Sequence, residues 1–413
     1  MSDKPAPTTN YQLPISMISF CIIVKNEEIA LPKCLSSVKD VVNEIVVLDT
    51  GSTDRTVEIA KQFGAKIYHF DWCNDFSAAR NQALNYVTGD WILVLDADET
   101  LTPEIVPHLQ QAILSDRLLV INLLRQEVGV AQSPYSLVSR LFRRHPKIRF
   151  DRPYHALVDD SVASILNQEP QWQIGYLPQV AILHSGYQKG AIAHKDKWDQ
   201  AAKTMEKFLA LHPFDPYVCC KLGALYVESG KIEQGIELLE RGLTAKKVDV
   251  QLLYELHYHL GIAYNRLQNW LHAKRSYQAA IDLDIYPMLK LGAYNNLGNL
   301  HQANGDLSAA KTAYETALQI DPNFVTGYYN YGIILKAMGR FADAIAAYQQ
   351  AIHLNPNYAQ AYQNLGVVLL KVGNVTEGIA AFKQAIALYE IDNSTQANRL
   401  RQSLQEMGWW NNE

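Results

Sequence analysis

Short apolar runs alternate with stretches of helical periodicity over the first hundred residues of the chain. The runs are rich in β-branched residues and cover 18–24, 45–48, 65–68 and 91–95. Between them, apolar side chains recur at helical spacing over 28–38, 53–63 and 76–87. Gly64 and Gly89 follow the last two of these stretches, where glycine commonly ends a helix. This strand–helix rhythm predicts an α/β domain with a largely parallel sheet.

A longer period begins beyond about residue 190. Glycines recur at intervals of 38, 37, 34 and 34 residues, at Gly223, Gly261, Gly298, Gly332 and Gly366. Positions twelve and nineteen residues after each glycine carry Gly or Ala, whereas the position sixteen residues after it carries Leu, Tyr or Phe. Because small residues at fixed intervals let two helices approach closely, the pattern predicts a stack of helical hairpins.

This register of small and large residues resembles the tetratricopeptide repeat. The resemblance implies an all-α solenoid of five repeats that binds a protein partner on its concave surface. The expected organisation is a flexible tail at 1–15, an α/β domain at 16–190, a helical linker at 191–215, the repeats at 216–392 and a C-terminal capping helix at 393–413.

Composition and charge narrow the classes of function. The 413 residues include 37 Lys and Arg against 42 Asp and Glu, and the net charge of −5 gives no general attraction to nucleic acid or an anionic membrane. The five cysteines form no C-x-x-C pair, so neither a disulfide framework nor a zinc ribbon is indicated. No apolar run approaches the ~20 residues that cross a bilayer, and the first residues lack a signal-peptide pattern. We expect no transmembrane segment and a location in the cytoplasm or at the cytoplasmic face of a membrane.

Six cations fall within thirteen residues, at Arg140, Arg143, Arg144, Lys147, Arg149 and Arg152. We interpret them as a solvated strand surface rather than a nucleic-acid site. Pairing with a diphosphate or an anionic acceptor is the alternative.

Two carboxylates, Asp96 and Asp98, stand at the end of the fourth apolar run. Like charges at this spacing repel unless a cation lies between them, and carboxylate oxygens suit Mg²⁺ or Mn²⁺ alongside substrate phosphates. Open α/β sheets also bind their ligands at the carboxyl ends of the strands. An acidic turn that caps the next helix is the alternative interpretation.

The surroundings of this Asp-x-Asp pair resemble a known family. In chain order, the segments 24–28, 49–54, 75–81 and 96–98 are similar to motifs of the nucleotide-sugar domain of family 2 glycosyltransferases, the inverting GT-A group. The resemblance implies transfer with inversion from a nucleoside-diphosphate sugar, expected to be UDP-linked, to a hydroxyl of a protein or glycan acceptor. It also implies Mn²⁺ or Mg²⁺ as cofactor. Ordinary turns and helix caps are the alternative for each segment taken singly.

The resemblance assigns roles to individual residues. The substrate-binding residues would be Lys25, Asn26, Glu27, Asp49, Arg80, Asn81 and Asp96. Asp49 would read the nucleotide base or ribose, Asp96 would point toward the ribose or the metal, and Asp98 would hold the metal that bridges the diphosphate. His184 belongs to a His-x-Gly-Tyr segment similar to one that follows the catalytic domain of repeat-bearing relatives. It would complete the metal shell, with a hydrogen-bonded core histidine as the alternative.

An inverting transfer also needs a general base beside the acceptor hydroxyl. Many relatives carry His-Glu where this chain has His155-Ala156, so the usual base is absent. We expect Asp159 or Asp160 to replace it, Asp159 first, with His155 as the third candidate. A surface turn whose two aspartates cap a helix near Ser161 is the alternative.

Two functions fit these observations. The first is a glycosyltransferase whose repeats recruit the acceptor or a partner protein, and the second is a non-catalytic repeat scaffold with a vestigial nucleotide-sugar domain. We favour the enzyme, because the Asp-x-Asp carboxylates cost stability without a metal. The sequence contains no pattern typical of dehydrogenases, P-loop NTPases, HExxH metalloproteases or Gly-x-Ser-x-Gly hydrolases.

Overall fold

The computed structural model describes residues 16–130, 132–154, 156–186 and 191–409, without the side chains of 191–197 and 392. The chain divides into two compact units. Unit 1 contains the residues up to 129 together with 135–211, and unit 2 contains 130–134 together with the residues from 212 onward. The tail at 1–15 lies outside the described residues, and the domain boundaries expected from the sequence stay predictions.

Unit 1 is built on a mixed sheet. Its strands are β1 Ile18–Val24, β2 Glu44–Asp49, β3 Lys66–His69, β4 Trp91–Val94, β5 Glu99–Leu101, β6 Leu118–Glu127, β7 Tyr135–Arg143 and β8 Gln173–His184. Their order across the sheet is β3-β2-β1-β4-β7-β6-β8-β5. Strands β1 to β4 pair in parallel, β6 pairs in parallel with β8, and β7 is antiparallel to both β4 and β6. The α/β prediction is confirmed for the parallel strands, and the sheet then continues through strands of mixed direction.

Unit 1 also contains helices. Those described are α1 Leu31–Val38, α2 Thr56–Gln62, α3 Phe76–Leu84, α4 Val106–Ala112, α5 Asp159–Gln168 and α6 Ala191–Leu211. Phe20 and Trp91 belong to one buried apolar cluster, and Cys21 and Ile92 belong to another. Because successive residues of β1 and of β4 enter different clusters, both faces of these strands need apolar side chains. This explains their apolar runs, in which the buried Ser19 of β1 is the one polar residue.

The two glycines expected to end helices behave differently. Gly64 follows α2 with a φ of +74°, the left-handed conformation typical of a helix end. The prediction for Gly89 is wrong, because α3 already ends at Leu84. Gly89 instead allows a close approach to β1, since a Cβ there would lie 2.8 Å from the backbone oxygen of Met17.

Unit 2 is helical in its described part. Successive antiparallel pairs are formed by α7 Pro216–Glu228 and α8 Ile232–Leu243, α9 Val250–Arg266 and α10 Trp270–Asp282, α11 Leu291–Ala303 and α12 Leu307–Ile320, α13 Val325–Ala337 and α14 Phe341–Leu354, and α15 Ala359–Lys371 and α16 Val375–Asp392, followed by α17 Ser394–Glu406. Leu400 and Leu404 of α17 are buried in one cluster with Phe382 of α16. No described helix is long and apolar enough to cross a membrane.

The repeating glycines pack as their register predicts. A Cβ at Gly298 would lie 2.7 Å from the ring of Tyr314, and a Cβ at Gly332 would lie 2.6 Å from the ring of Tyr348. Both rings are fully buried between the two helices of their hairpin. The alternation of small and large residues is therefore the packing contact inside each hairpin, and the solenoid prediction is confirmed.

Candidate active site

The loops after β1 and β2 are joined at the carboxyl edge of the sheet, because Val24 and Asp49 are register partners at the ends of these parallel strands. Asn26 has a φ of +55°, which asparagine tolerates better than most residues. Its Oδ1 accepts a hydrogen bond from the backbone N–H of Thr53 at 2.7 Å, and the N–H of Glu27 donates to Thr56 Oγ1 at 2.7 Å. The loop 25–27, expected to border the base, is thus fixed by the loop after β2.

Asp49 is buried at the end of β2. Its carboxylate accepts hydrogen bonds from the backbone N–H groups of Gly51 at 3.2 Å and Ser52 at 3.1 Å, and it lies 3.3 Å from His69 Nδ1. Gly51 has a φ of +100°, so the turn requires glycine. Asp49 therefore shapes the turn, and its contact with a base or ribose stays a prediction.

Asp96 lies between two guanidinium groups. Arg80 Nη2, from α3, donates to Asp96 Oδ1 at 2.5 Å, and Arg140 Nη2, from β7, donates to Asp96 Oδ2 at 2.7 Å. Burial favours the neutral form of Asp96, but the two arginines outweigh it and hold the pKa of this carboxyl well below its usual range. Both oxygens of Asp96 are thus engaged by cations of the protein, and ligation of a metal by Asp96 stays a prediction.

A β-bulge directs Arg140 toward Asp96. Ile121 of β6 pairs with Leu141 of β7, whereas Leu123 pairs with Val138. Two residues of β7, one of them Arg140, therefore stand opposite one residue of β6. A bulge of this kind bends its strand and changes the direction of the side chains.

Asp98, His184 and Glu127 form the second part of the site. His184 Nδ1 lies 2.5 Å from Glu127 Oε2, and its Nε2 lies 3.5 Å from Asp98 Oδ2. Burial alone would lower the pKa of His184, but its hydrogen bonds to Asp98 and Glu127 raise this pKa to about 10. The pKa of Asp98 is lowered, because the contact with His184 outweighs burial.

Gly186 leaves space beside Asp98 and His184. A Cβ at position 186 would lie 2.6 Å from Asp98 Oδ2 and 2.7 Å from His184 Nε2. These distances are shorter than any ordinary contact, so a side chain here would push the two groups away. Glycine at position 186 therefore lets the backbone pass close to both polar atoms.

Glu99 and Arg125 connect the two parts of the site. Glu99 is fully buried; its Oε2 accepts from the backbone N–H of Asp96 at 2.8 Å, and its Oε1 accepts from Arg125 Nη1 at 2.9 Å. Arg125 Nη2 then contacts Glu127 Oε1 at 2.8 Å. Positive and negative side chains therefore alternate through the site, in the order Arg80, Asp96, Arg140, Glu99, Arg125, Glu127, His184 and Asp98. Contact between opposite charges lowers the free-energy cost of burying each of them.

Asp98 and His184 could hold a divalent cation only together with oxygens of a substrate or water. In the described part of the chain, no group of three or more His, Cys, Asp or Glu side chains could hold a metal by itself. Asp98 and His184 offer one oxygen and one imidazole nitrogen. Mg²⁺ in particular usually takes only one or two carboxylates and completes its shell with substrate phosphates and water, and imidazole suits transition metals.

Other sequence candidates have structural partners. Asn81 Nδ2 donates to the backbone oxygen of Phe150 at 2.8 Å, and Asn81 Oδ1 accepts from the N–H of Phe150 at 2.7 Å. Arg80 lies over the ring of Phe150, with its guanidinium carbon 5.3 Å from the ring centre. Asn81 therefore holds the segment around Phe150 beside Arg80, and direct substrate contact by Asn81 stays a prediction.

The three candidates for the base lie at or before the start of α5. Asp159 Oδ1 accepts a hydrogen bond from Ser139 Oγ at 2.9 Å, and Ser139 immediately precedes Arg140 in β7. Asp160 forms an ion pair with Arg152 at 2.6 Å. His155 lies outside the described residues.

The interpretation of the six cations as a solvated surface is wrong for three of them. The side chains of Arg140 and Arg152 are only 14% and 8% exposed and pair with carboxylates. Arg143 lies over the ring of Trp91, 4.8 Å from its centre, and donates to the backbone oxygen of Leu118 at 2.8 Å. These three side chains are packed and paired within unit 1 and are not part of a solvated surface.

Comparisons with known proteins match both parts of the chain. The profile described as Glycosyl transferase family 2 matches residues 19–175, and tetratricopeptide-repeat profiles match 292–324, 313–346, 332–373 and 359–392. A TPR repeat-containing protein of Synechococcus elongatus is 44% identical over 308 residues, which are 75% of this chain and 76% of that protein. The chain belongs to the family 2 glycosyltransferases fused to tetratricopeptide repeats. Glycosyl transfer is its class of activity.

Two further similarities cover smaller parts of this glycosyltransferase. The SPbeta prophage-derived glycosyltransferase SunS of Bacillus subtilis is 30% identical over 233 residues, 55% of this chain and 53% of SunS, so the chain spans about half the length of that relative. A crystal structure of MamA protein covers 43% of this chain and 92% of its own, with 24% identity and a TM-score of 0.37.

Proposed function

We propose that this glycosyltransferase moves a sugar from a nucleoside-diphosphate sugar, UDP-linked, to an acceptor hydroxyl with inversion, assisted by Mn²⁺ or Mg²⁺. The observation that carries the proposal is the meeting of Asp98 Oδ2 and His184 Nε2 beside the space left by Gly186. These two side chains would hold the cation. When bound, a divalent cation would neutralise charge on the diphosphate leaving group.

Arg80 and Arg140 add fixed positive charge beside Asp96, the first carboxylate of the Asp-x-Asp pair. The Nη1 atom of Arg80 is buried and has no hydrogen-bond partner among the described residues. Buried donors normally have partners, so an oxygen of the bound donor substrate would satisfy this one. The two arginines thus orient the donor and stabilise negative charge on it.

Inversion requires the acceptor oxygen to attack the anomeric carbon from the face opposite the diphosphate. As the new carbon–oxygen bond forms, the bond to the diphosphate oxygen breaks and the hydroxyl proton leaves. Asp159 is the carboxylate to which we assign this proton, with Asp160 and His155 as the other candidates. Support comes from the hydrogen bond that joins Asp159 to β7 next to Arg140.

The repeats are proposed to recruit a protein partner or the acceptor, whether protein or glycan. Stacked helical hairpins present an extended concave surface suited to this role. The cytoplasmic location stays a prediction.

Thermal unfolding with ligands tests the proposal. UDP or GDP with Mn²⁺ should raise the melting temperature of unit 1 by about 5–10 °C at a hundred times Kd, because ligand binding stabilises the native state. Asp98→Asn should abolish the shift, whereas Asp40→Asn, at an exposed carboxylate just after α1, should keep it. No shift with either nucleotide would contradict the proposal and favour the scaffold.

A further inference from the structure

We infer that Glu127 is a positioning residue for the divalent cation: it fixes the ring of His184 so that Nε2 faces the cation site beside Asp98. The inference rests on the proposed function, because it takes Asp98 and His184 as the residues that hold the cation. It adds a residue that the sequence motifs do not contain.

The backbone places Glu127 beside His184. The two residues are register partners at the ends of the parallel strands β6 and β8, and the N–H of Val128 donates to the backbone oxygen of His184 at 2.8 Å. Glu127 Oε2 lies 2.5 Å from Nδ1 of the ring. Because an ionised carboxylate can only accept, Nδ1 keeps its hydrogen. Nε2, which faces Asp98, is the nitrogen that would bind a cation by giving up its own proton.

Glu127 is itself held in place. Its side chain is 10% exposed, and its other oxygen contacts Arg125 Nη2 at 2.8 Å. Arg125 in turn binds the fully buried Glu99, whose carboxylate accepts from the backbone N–H of Asp96. Both oxygens of Glu127 are thus engaged, so it acts through His184 rather than on the cation directly.

The ion pair between Arg125 and Glu127 does not by itself explain the orientation of the His184 ring. An ion pair between Arg125 and Glu127 would need no particular ring orientation. Yet Nε2 lies 3.5 Å from Asp98 Oδ2. Gly186 lies beside both atoms and has no Cβ, which would otherwise lie 2.6 Å from Asp98 Oδ2 and 2.7 Å from Nε2. A carboxylate that orients an imidazole toward a metal is a common second layer of metal sites, and its loss typically weakens metal binding by about 10- to 100-fold.

Direct titration with MnCl₂ tests the inference, with and without UDP, reading free Mn²⁺ by electron paramagnetic resonance. Glu127→Ala should weaken Mn²⁺ binding by about 10- to 100-fold. Glu127→Gln should lose less, because its amide oxygen can still accept from Nδ1. The matched control is Glu44→Gln, another buried glutamate that is paired with a cation, Lys66 at 2.7 Å. It should bind Mn²⁺ like the wild type.

Titrations are made at a temperature where circular dichroism shows every variant folded. If Glu127→Ala does not fold, Glu127→Gln decides: a loss of about threefold or more supports the inference. If the Glu127 variants bind Mn²⁺ as tightly as the wild type while His184→Ala loses binding, the inference is overturned but the proposed cation site stands. Wild-type binding in both His184→Ala and Asp98→Ala, or no Mn²⁺ binding by the wild type, would refute the proposed cation site as well.

Discussion

Gly186→Ala should remove most of the cation affinity while leaving the fold intact. The new Cβ would lie 2.6 Å from Asp98 Oδ2 and 2.7 Å from His184 Nε2, whereas ordinary contacts of a Cβ begin near 3.4 Å. The two groups would have to retreat by about 0.7 Å or more, and metal–ligand bonds of about 2.1 Å do not tolerate such a displacement.

The ring of His184 and the backbone at Asp98 are both held in place. His184 is tied to Glu127 through Nδ1, and the backbone oxygen of Asp98 accepts hydrogen bonds from the N–H of Ser185 at 3.0 Å and from Ser185 Oγ at 3.1 Å. The energetic consequence should resemble the loss of a supporting group around a metal, about 10- to 100-fold in Kd or about 1.4–2.7 kcal/mol. The backbone at position 186 needs no positive φ, so alanine adds bulk without backbone strain.

Calorimetric titration of Mn²⁺ into the UDP-saturated protein measures the effect. Gly175→Ala is the matched control, because it places a methyl group on β8, the strand of His184, but meets only the flexible side chain of Leu118. The control should keep the wild-type Kd. A Gly186→Ala protein that binds Mn²⁺ within about twofold of the wild type would refute the assignment of this space to the cation.

Three further predictions concern packing, pH and the base. Gly332→Ala, which drives a Cβ to 2.6 Å from the ring of Tyr348, should lower the free energy of unfolding by about 1–3 kcal/mol in urea titrations; unchanged stability would contradict the packing contact. Burial would raise the pKa of Glu44, but hydrogen bonds from Lys66 and other donors lower this pKa to about 2. The lowered pKa contributes about 3 kcal/mol to the free energy of unfolding at pH 7. A lowered carboxyl pKa stabilises the fold fully only above the pKa of the unfolded chain. The difference in free energy of unfolding between wild type and Glu44→Gln should therefore shrink as the pH falls from about 4.5 toward 2. A difference that stays constant over this range would contradict the lowered pKa. Asp159→Asn should lower kcat by about 100- to 10,000-fold with UDP binding unchanged, and normal turnover would remove Asp159 from the mechanism.

Three strands of the parallel half of the sheet, β1, β2 and β4, could be predicted because they are buried on both faces. Residues such as Phe20 and Cys21 of β1 enter different apolar clusters, so the strand is an apolar run in the sequence with Ser19 as its one polar residue. The half-buried β7 carries polar residues among apolar ones and gives no such run. The repeats were equally readable, since one packing contact recurs at nearly constant spacing.

The site was only partly predictable. Asp96 and Asp98 follow a strand directly, so their place at the sheet edge follows from sequence order. Glu127 and His184 are 57 residues apart, and only the parallel pairing of their strands brings them together. A Glu two residues after Arg125 signals a shared strand face but does not identify the partner. The direction of the Arg140 side chain depends on a β-bulge in β7, and nothing in the local sequence marks this shift of register.

The pairing of Gly298 with Tyr314 lies within a single hairpin and does not involve the next one. Excising the residues between equivalent points of two adjacent 34-residue copies, such as Gly298 and Gly332, would therefore leave every remaining glycine of the register with its own large apolar partner. Whole repeats can then be gained or lost by duplication and deletion of the coding sequence without repacking the hairpins that stay. The length of the repeat array can thus change while the glycosyltransferase domain stays the same.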